Sequence, residues 1–402
     1  MNPDPTHPPS SARFLAGLWT TVKLLVVVVI CVLIAILMMS STQATETPAR
    51  ATNGSITPGS AIKITGAIPT PPATPAAPQD VLIPGKLIYV KGGTIYMLHQ
   101  YDLPVPLAVG REPSVSPDGT HLAYVAFTKN YQDLMVLNIQ QRTSTKLLDN
   151  NLADPQNAGT GMTAAQPTWA DDGKSIFFSW SYPGSPYYCG LTSGCALPAP
   201  WAERTDLTVT RCPVTGPCSI ATARSLTQPY FESGGDYEPA PRLADPRYLV
   251  YAKWQYQQAR DNTSRSLPRL QALDLTNNTE VALTDPLDNV SEPVWSPNGR
   301  YLAFVKTSGD LQSSSIWIMA FHPPGRIADY THAHLLVSGT QLAGHPVFSP
   351  DGKYLAYLQQ AADGHLHIFI ARIHLGPNPH IDAPQMVKRP DIVDGDHLAW
   401  TQ

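Results

Sequence analysis

Glu112-Pro-Ser-Val-Ser-Pro-Asp-Gly-Thr-His-Leu-Ala-Tyr124 is a phrase that this chain repeats, with close variants opening at Gln166, Glu238, Glu292 and His345. Each copy has a proline in second place, then a turn such as Ser-Pro-Asp-Gly and a strand-like tail such as Tyr-Leu-Ala-Phe. Proline at the first central position of the turn presets φ, Asp or Asn suits the next, and Gly accepts a positive φ before the chain returns. Every copy therefore reads as a β-hairpin.

The anchoring prolines Pro113, Pro167, Pro239, Pro293 and Pro346 are spaced by 54, 72, 54 and 53 residues, the scale of one propeller blade. Runs of β-branched and aromatic residues at 86–90, 134–137, 175–179 and 315–319 are too short for helices and supply further strands. Two partial units flank the array: 86–110 has strands without the opening phrase, and 390–402, with Asp394-Gly-Asp-His-Leu-Ala-Trp400, has an opening without later strands. Joined, they make one blade from both ends of the chain. The expected fold is all-β, a six-bladed β-propeller over 81–402 closed by N- and C-terminal strands. Seven blades result only if the two end segments belong to separate blades. The one long interval is read as an insertion at about 182–231, which contains Cys189, Cys195, Cys212 and Cys218.

The copies Glu292-Pro-Val-Trp-Ser-Pro-Asn-Gly-Arg-Tyr-Leu-Ala-Phe304 and His345-Pro-Val-Phe-Ser-Pro-Asp-Gly-Lys-Tyr-Leu-Ala-Tyr357 resemble the repeats of the TolB-type β-propeller family, whose pattern is WD-repeat-like. The resemblance covers 81–402. Two copies depart from it: Ala170-Asp-Asp-Gly173 lacks the proline, and Leu243-Ala-Asp-Pro-Arg247 has proline in place of glycine. The resemblance implies a protein-binding platform in an exported compartment. Similar propellers also form the non-catalytic domain of some serine peptidases. Here no Gly-x-Ser-x-Gly elbow occurs and no hydrolase domain is expected after Trp400-Thr-Gln402, which weighs against a peptidase.

Ahead of the repeats, Leu24 to Met39 is an apolar run of sixteen residues, about 24 Å as a helix. Extended back to Phe14, with Lys23 snorkelling, it reads as a transmembrane signal anchor at 14–39. Arg13 and Lys23 precede the apolar core, which places residues 1–13 in the cytoplasm and the propeller outside. A cleaved signal peptide ending near Thr42-Gln-Ala44 is the rival reading. Residues 40–80, rich in Pro, Thr and Ala, form a disordered linker. A net charge of -4 with 14% charged residues offers no electrostatic footprint for nucleic acid. In an exported compartment the four late cysteines are disulfide candidates, with sequential pairing the first expectation among three connectivities. A four-cysteine zinc site is the alternative, although five residues between partners is wider than its usual spacing.

Asp118, Asp172, Asp245 and Asp351 occupy turn positions and are assigned to local backbone bonding. The residues that open the phrases, Glu112, Gln166, Glu238, Glu292 and His345, are channel-rim candidates for a cation, peptide or sugar, because propellers of the resembling family turn this position towards the axis. Trp169, Trp295 and Phe348 are assigned to inter-blade packing. Tyr182, Tyr187, Tyr188 and Trp201 are recognition candidates in the insertion. Late histidines include His332-Ala-His334 and His365-Leu-His367, which share a face if they lie in strands, and also His374, His380 and His397. The pairs are read as surface residues, with Gly364 signalling a turn. The expected function is a membrane-anchored, single-pass extracytoplasmic module. It would act as a non-catalytic scaffold binding an envelope or extracellular protein, without cofactor. The alternative is a metal-assisted hydrolase or lyase acting on glycans at the channel.

Overall fold

The computed structural model describes residues 82–402 apart from 101, 128–131, 151–162, 182–206, 220–221, 229–234, 259–263 and 389–391. The expected 14–39 span and 40–80 linker lie outside the described residues, as do Cys189, Cys195, Tyr182, Tyr187, Tyr188 and Trp201. Among the described residues no helix is long and apolar enough to cross a membrane.

The strands form six antiparallel sheets, each ordered from the axis outward. Blade 1 runs Arg111–Val115, His121–Phe127, Gln132–Asn138 and Thr143–Leu148. Blade 2 runs Ala164–Trp169, Ser175–Trp180, Thr208–Pro213 and Arg224–Ser225. Blades 3, 4 and 5 open with Asp236–Pro241, Asn289–Trp295 and Ala343–Phe348. In blade 6 the C-terminal Ala399–Thr401 pairs with Lys86–Lys91, Leu87 facing Trp400, and Thr94–His99 and Val105–Val109 follow. The two ends of the described chain thus close one blade, and the seven-bladed alternative falls away.

One expectation is corrected and one is met in part. The segment 182–231 is not all insertion, since Thr208–Pro213 and Arg224–Ser225 are the third and fourth strands of blade 2. Only 181–207 stands between its second and third strands, so the 72-residue spacing comes from a long connection inside an ordinary blade. Cys212 is fully buried in that blade and bonded to Cys218. One of the two sequential pairs is therefore formed, which removes both thiols from any four-cysteine zinc site.

The second strands explain why the fold holds. His121–Phe127, Tyr301–Thr307 and Tyr354–Gln360 each have a run of four buried residues, a pattern that alternation on a one-sided sheet would not give. Each such strand is covered on both faces by neighbouring blades, and each of the six blade interfaces has its own apolar cluster. Burying one such Leu, Val or Phe side chain contributes about 1.5–3 kcal/mol. Trp169 and Trp295 lock adjacent blades as expected: their indole N–H groups donate to Ser114 O at 3.0 Å and Ala240 O at 2.9 Å.

The turns follow the sequence reading. Asp118 Oδ1 accepts from Ser116 Oγ at 2.6 Å and from Thr120 N at 3.0 Å, while Gly119 has φ 73°. Ala170-Asp-Asp-Gly keeps this geometry without its proline, with Gly173 N donating to Ala170 O at 3.0 Å. The proline-for-glycine copy adapts by one residue: Arg242 N donates to Tyr248 O, six positions on, where Ser116 N donates to His121 O, five positions on.

Candidate functional site

In the five full copies, the pairing of first and second strands slips at the same place, between Arg111 and Ser114, Ala165 and Thr168, Tyr237 and Ala240, Ser291 and Val294, and Gly344 and Val347. The skipped pair is the phrase-opening residue and its proline. Proline has no N–H for the ladder, so the strand bulges there and re-aims the preceding side chain. The cost is visible in the backbone. Glu112, Gln166, Glu238, Glu292 and His345 have φ between 51° and 55°, a left-handed conformation uncommon for non-glycine residues and worth about 1–3 kcal/mol of strain each.

The bulges place all five expected rim residues around one central cavity of about 250 Å³, and they bring in a sixth, His397. His397 stands three residues before Trp400, as Gln166 stands before Trp169 and Glu292 before Trp295. It escaped the sequence reading because Leu398 replaces the proline. The Trp400 spacing was the signal that could have found it.

The five side chains are not independent. Glu112 Oε2 accepts from Gln166 N at 2.6 Å, Gln166 Oε1 from Glu238 N at 3.0 Å, Glu238 Oε2 from Glu292 N, and Glu292 Oε2 from His345 N. At the composite blade Asp396 Oδ1 accepts from Glu112 N at 3.0 Å and from His397 N at 2.7 Å. Each strained backbone N–H is thereby satisfied by the preceding blade, and the result is a belt around the channel. Its seam falls between blades 5 and 6, where the His345 and His397 rings lie 4.8 Å apart and His345 Nδ1, 3.5 Å from Glu292 Oε2, has no hydrogen-bond partner.

Charge in so narrow a ring shifts the titrations. Burial, and then repulsion from Glu292, push the Glu238 carboxyl up to about 7 despite the Glu292 N–H. Burial likewise raises Glu112, opposed in part by His397 and the Gln166 N–H. At the seam the two imidazoles are driven apart. Burial lowers His345, with the His397 charge acting in the same sense and Glu292 against it. Burial also opposes the His397 cation, but Asp396, Glu112 and Glu292 outweigh it and raise the group to about 9.

Above this polar belt the mouth is walled by prolines and apolar groups, among them Val115, Trp169, Leu243, Val294 and Val347. The other sequence candidates stay apart from it. His332 caps the short helix Ile327–Thr331 and His334 begins a strand. His365 follows the Gly364 turn, while His367 is buried against Asp363 at 2.8 Å.

Neither a protein-family model nor a curated protein sequence matches the chain. Solved structures do. TolB from Acinetobacter baumannii aligns with TM-score 0.52 at 16% identity, covering 79% of this chain and 66% of that one. A TolB structure from Agrobacterium tumefaciens aligns with TM-score 0.48 at 16% identity, over 75% and 87%. An oligogalacturonate lyase in complex with manganese gives TM-score 0.43 at 11% identity, over 69% and 68%. The chain spans just under two thirds of the Acinetobacter TolB it matches. With six blades, each opening on an antiparallel strand pair, and the likeness to the Acinetobacter structure, the chain folds as a TolB-like β-propeller.

Proposed function

We propose that this propeller is a non-catalytic protein-binding module, held on the outer side of a membrane by the 14–39 segment through the 40–80 linker. Its partner is an envelope or extracellular protein that seats a loop or chain end in the channel mouth. The belt is the observation that carries this reading. Its carboxylates are engaged with backbone N–H groups of the next blade, so they act as structure at the floor of a rigid funnel whose walls are apolar. A pocket of that kind suits an anchor residue ringed by less accessible contacts.

A photo-crosslinking side chain at Leu243, in the channel wall, should capture a partner in intact cells. The same group at Leu335, exposed on the outer edge of blade 4, should not. Equal capture at both positions overturns the channel assignment. Deleting 182–206 tests the loop candidates without touching the strands of blade 2. Retention of the full chain in membranes after alkaline carbonate washing tests the anchor.

The seam supports a second reading, a hydrolase or lyase acting on glycans. A neutral His345 beside a charged His397 is a base next to an acid, the arrangement that proton transfer requires. Cleavage of an oligosaccharide panel, abolished by His345→Ala, would establish it. Binding ranks first because the neighbouring acids that would hold a metal are already bonded to backbone N–H groups.

A further inference from the structure

The hairpin at the outer edge of blade 5 carries a side-chain cluster that the channel does not use. Leu366–His374 turns through five residues into His380–Ile381, with His374 directly opposite His380. Asp382 lies two residues beyond His380, its N–H donating to Arg372 O at 2.9 Å. Residues two apart on a strand share a face, and directly paired cross-strand residues meet on it. The three side chains are accordingly together. The imidazoles stack 4.7 Å apart with 14° between planes, and His374 Nε2 is 3.1 Å from Asp382 Oδ1. One ligand atom from each residue lies within 4.8 Å of the others.

The surroundings hold this arrangement in place. Pro377 and Pro379 restrict the turn, and the Tyr301 hydroxyl of blade 4 donates to Gly376 O at 3.0 Å, fastening the turn to the next blade. His380 Nδ1 lies 3.1 Å from Asn378 O. A carbonyl oxygen only accepts, so Nδ1 carries the hydrogen and Nε2 presents its lone pair. A backbone bond of this kind sets the tautomer of metal-ligating histidines. His374 Nε2 faces a carboxylate and therefore carries its hydrogen.

We propose that His374, His380 and Asp382 bind one borderline divalent transition-metal ion, Zn²⁺ or Cu²⁺ by ligand chemistry. Two imidazoles and one carboxylate suit such an ion and leave coordination positions for water or for an outside ligand. Ligand atoms around a tetrahedral Zn²⁺, at bond lengths of about 2.0–2.1 Å, stand about 3.3 Å apart. The His374–Asp382 separation of 3.1 Å already matches. The ion takes the place of the hydrogen between them: Nε2 gives its proton to solvent, Nδ1 takes one up so that the ring stays neutral, and bonds form from Nε2 and Oδ1 to the metal with no net proton released. His380 supplies the third ligand, one ligand atom of each residue lying within 4.8 Å of the other two.

The test is titration of the untagged full chain in detergent with ZnCl₂ by calorimetry, together with Cu²⁺ electron paramagnetic resonance. One ion per chain and a copper signal showing two nitrogen ligands are expected. His374→Ala and His380→Ala should each weaken binding by at least ~10–100-fold, the range seen even for outer-shell losses, with unchanged circular dichroism. Asp382→Asn should weaken it less, while His345→Ala and His397→Ala in the channel should leave it intact. Absence of stoichiometric binding overturns the proposal. Binding that survives His374→Ala with His380→Ala, or that is lost with the channel variants, also overturns it.

Discussion

Replacing Glu238 by glutamine should make this protein more stable at pH 8 and leave it unchanged at pH 4. The carboxyl is pushed up to about 7 from an ordinary 4.5 by burial and by Glu292. Below pH 4.5 it is protonated in both the folded and the unfolded chain, and its contribution is fully present. Between 4.5 and about 7 the unfolded chain ionises while the folded one does not, so stability falls as pH rises. Above 7 the loss is complete. At ~1.4 kcal/mol per unit, the ceiling on that loss is about 3.5 kcal/mol, and solvent screening in a channel open at its mouth reduces it to roughly 1–2 kcal/mol. Glutamine keeps a carbonyl oxygen for the Glu292 N–H, and the ring already contains such a case: in blade 2, Gln166 Oε1 accepts from Glu238 N at 3.0 Å. Urea unfolding of parent and Glu238→Gln at pH 4 and pH 8 measures the difference directly. A variant that gains nothing at pH 8 relative to pH 4, or loses stability at both, refutes the reasoning and shows that the ring needs this charge.

His397, raised to about 9, should add a second decline in stability from pH 6.5 to 9, absent in His397→Gln when melting temperature is followed against pH. Trp295→Ala should cost about 3–5 kcal/mol by cavity formation, since the ring is buried and packs edge-on to Phe321 at 4.9 Å. Trp295→Phe should cost about 1 kcal/mol in the same urea assay for the lost bond to Ala240 O. Reducing the Cys212–Cys218 bond, which closes a loop with sequence separation 6, should lower stability by about 2 kcal/mol, and non-reducing peptide mapping should recover that pair. Asp118→Ala should cost about 1 kcal/mol at neutral pH. Hydrogen bonds from Ser116 and Thr120 hold this carboxyl at about 2, so the difference should fade as pH falls below 4 and be gone near 2.

What the repeat phrase encodes locally was legible: turn and hairpin follow from residues within a dozen positions of one another, and the blade count from the spacing of the copies and the partial units at both ends, whereas the bulge at each anchor proline emerged only from strand pairing. The rim positions came from the resemblance, in which the residue before the anchor proline turns towards the axis, and these residues do line the central cavity. The belt was not. Its bonds run from a side chain in one blade to a backbone N–H 54 or 72 residues away, and only ring closure brings those atoms together. His397 and Asp396 were missed because the last copy has lost its proline, although Trp400 kept its place. The third strand of blade 2 was hidden by its cysteines. Thr208-Val-Thr-Arg-Cys-Pro213 has the β-branched content of a strand, but Cys212 drew the reading towards an insertion. The His374–His380 pair depends on hairpin register, which the five-residue turn left open.

Composite blade 6 also sets an order on synthesis. Its innermost strand, Ala399–Thr401, is made more than 300 residues after the Lys86–Lys91 strand it joins, and Asp394 must return to cap the Gly92 and Gly93 N–H groups, both at 3.0 Å. Until then the nascent ring is a crescent with an unpaired strand edge, the bare side of Lys86–Lys91, beside the incompletely covered apolar face of blade 5. Open edges of this kind invite pairing with other chains, and a ring completed by its most distant contact closes late. A propeller built this way remains an aggregation risk until Ala399–Thr401 is in place and becomes a closed object only then, so its dependence on chaperones should be concentrated before that step.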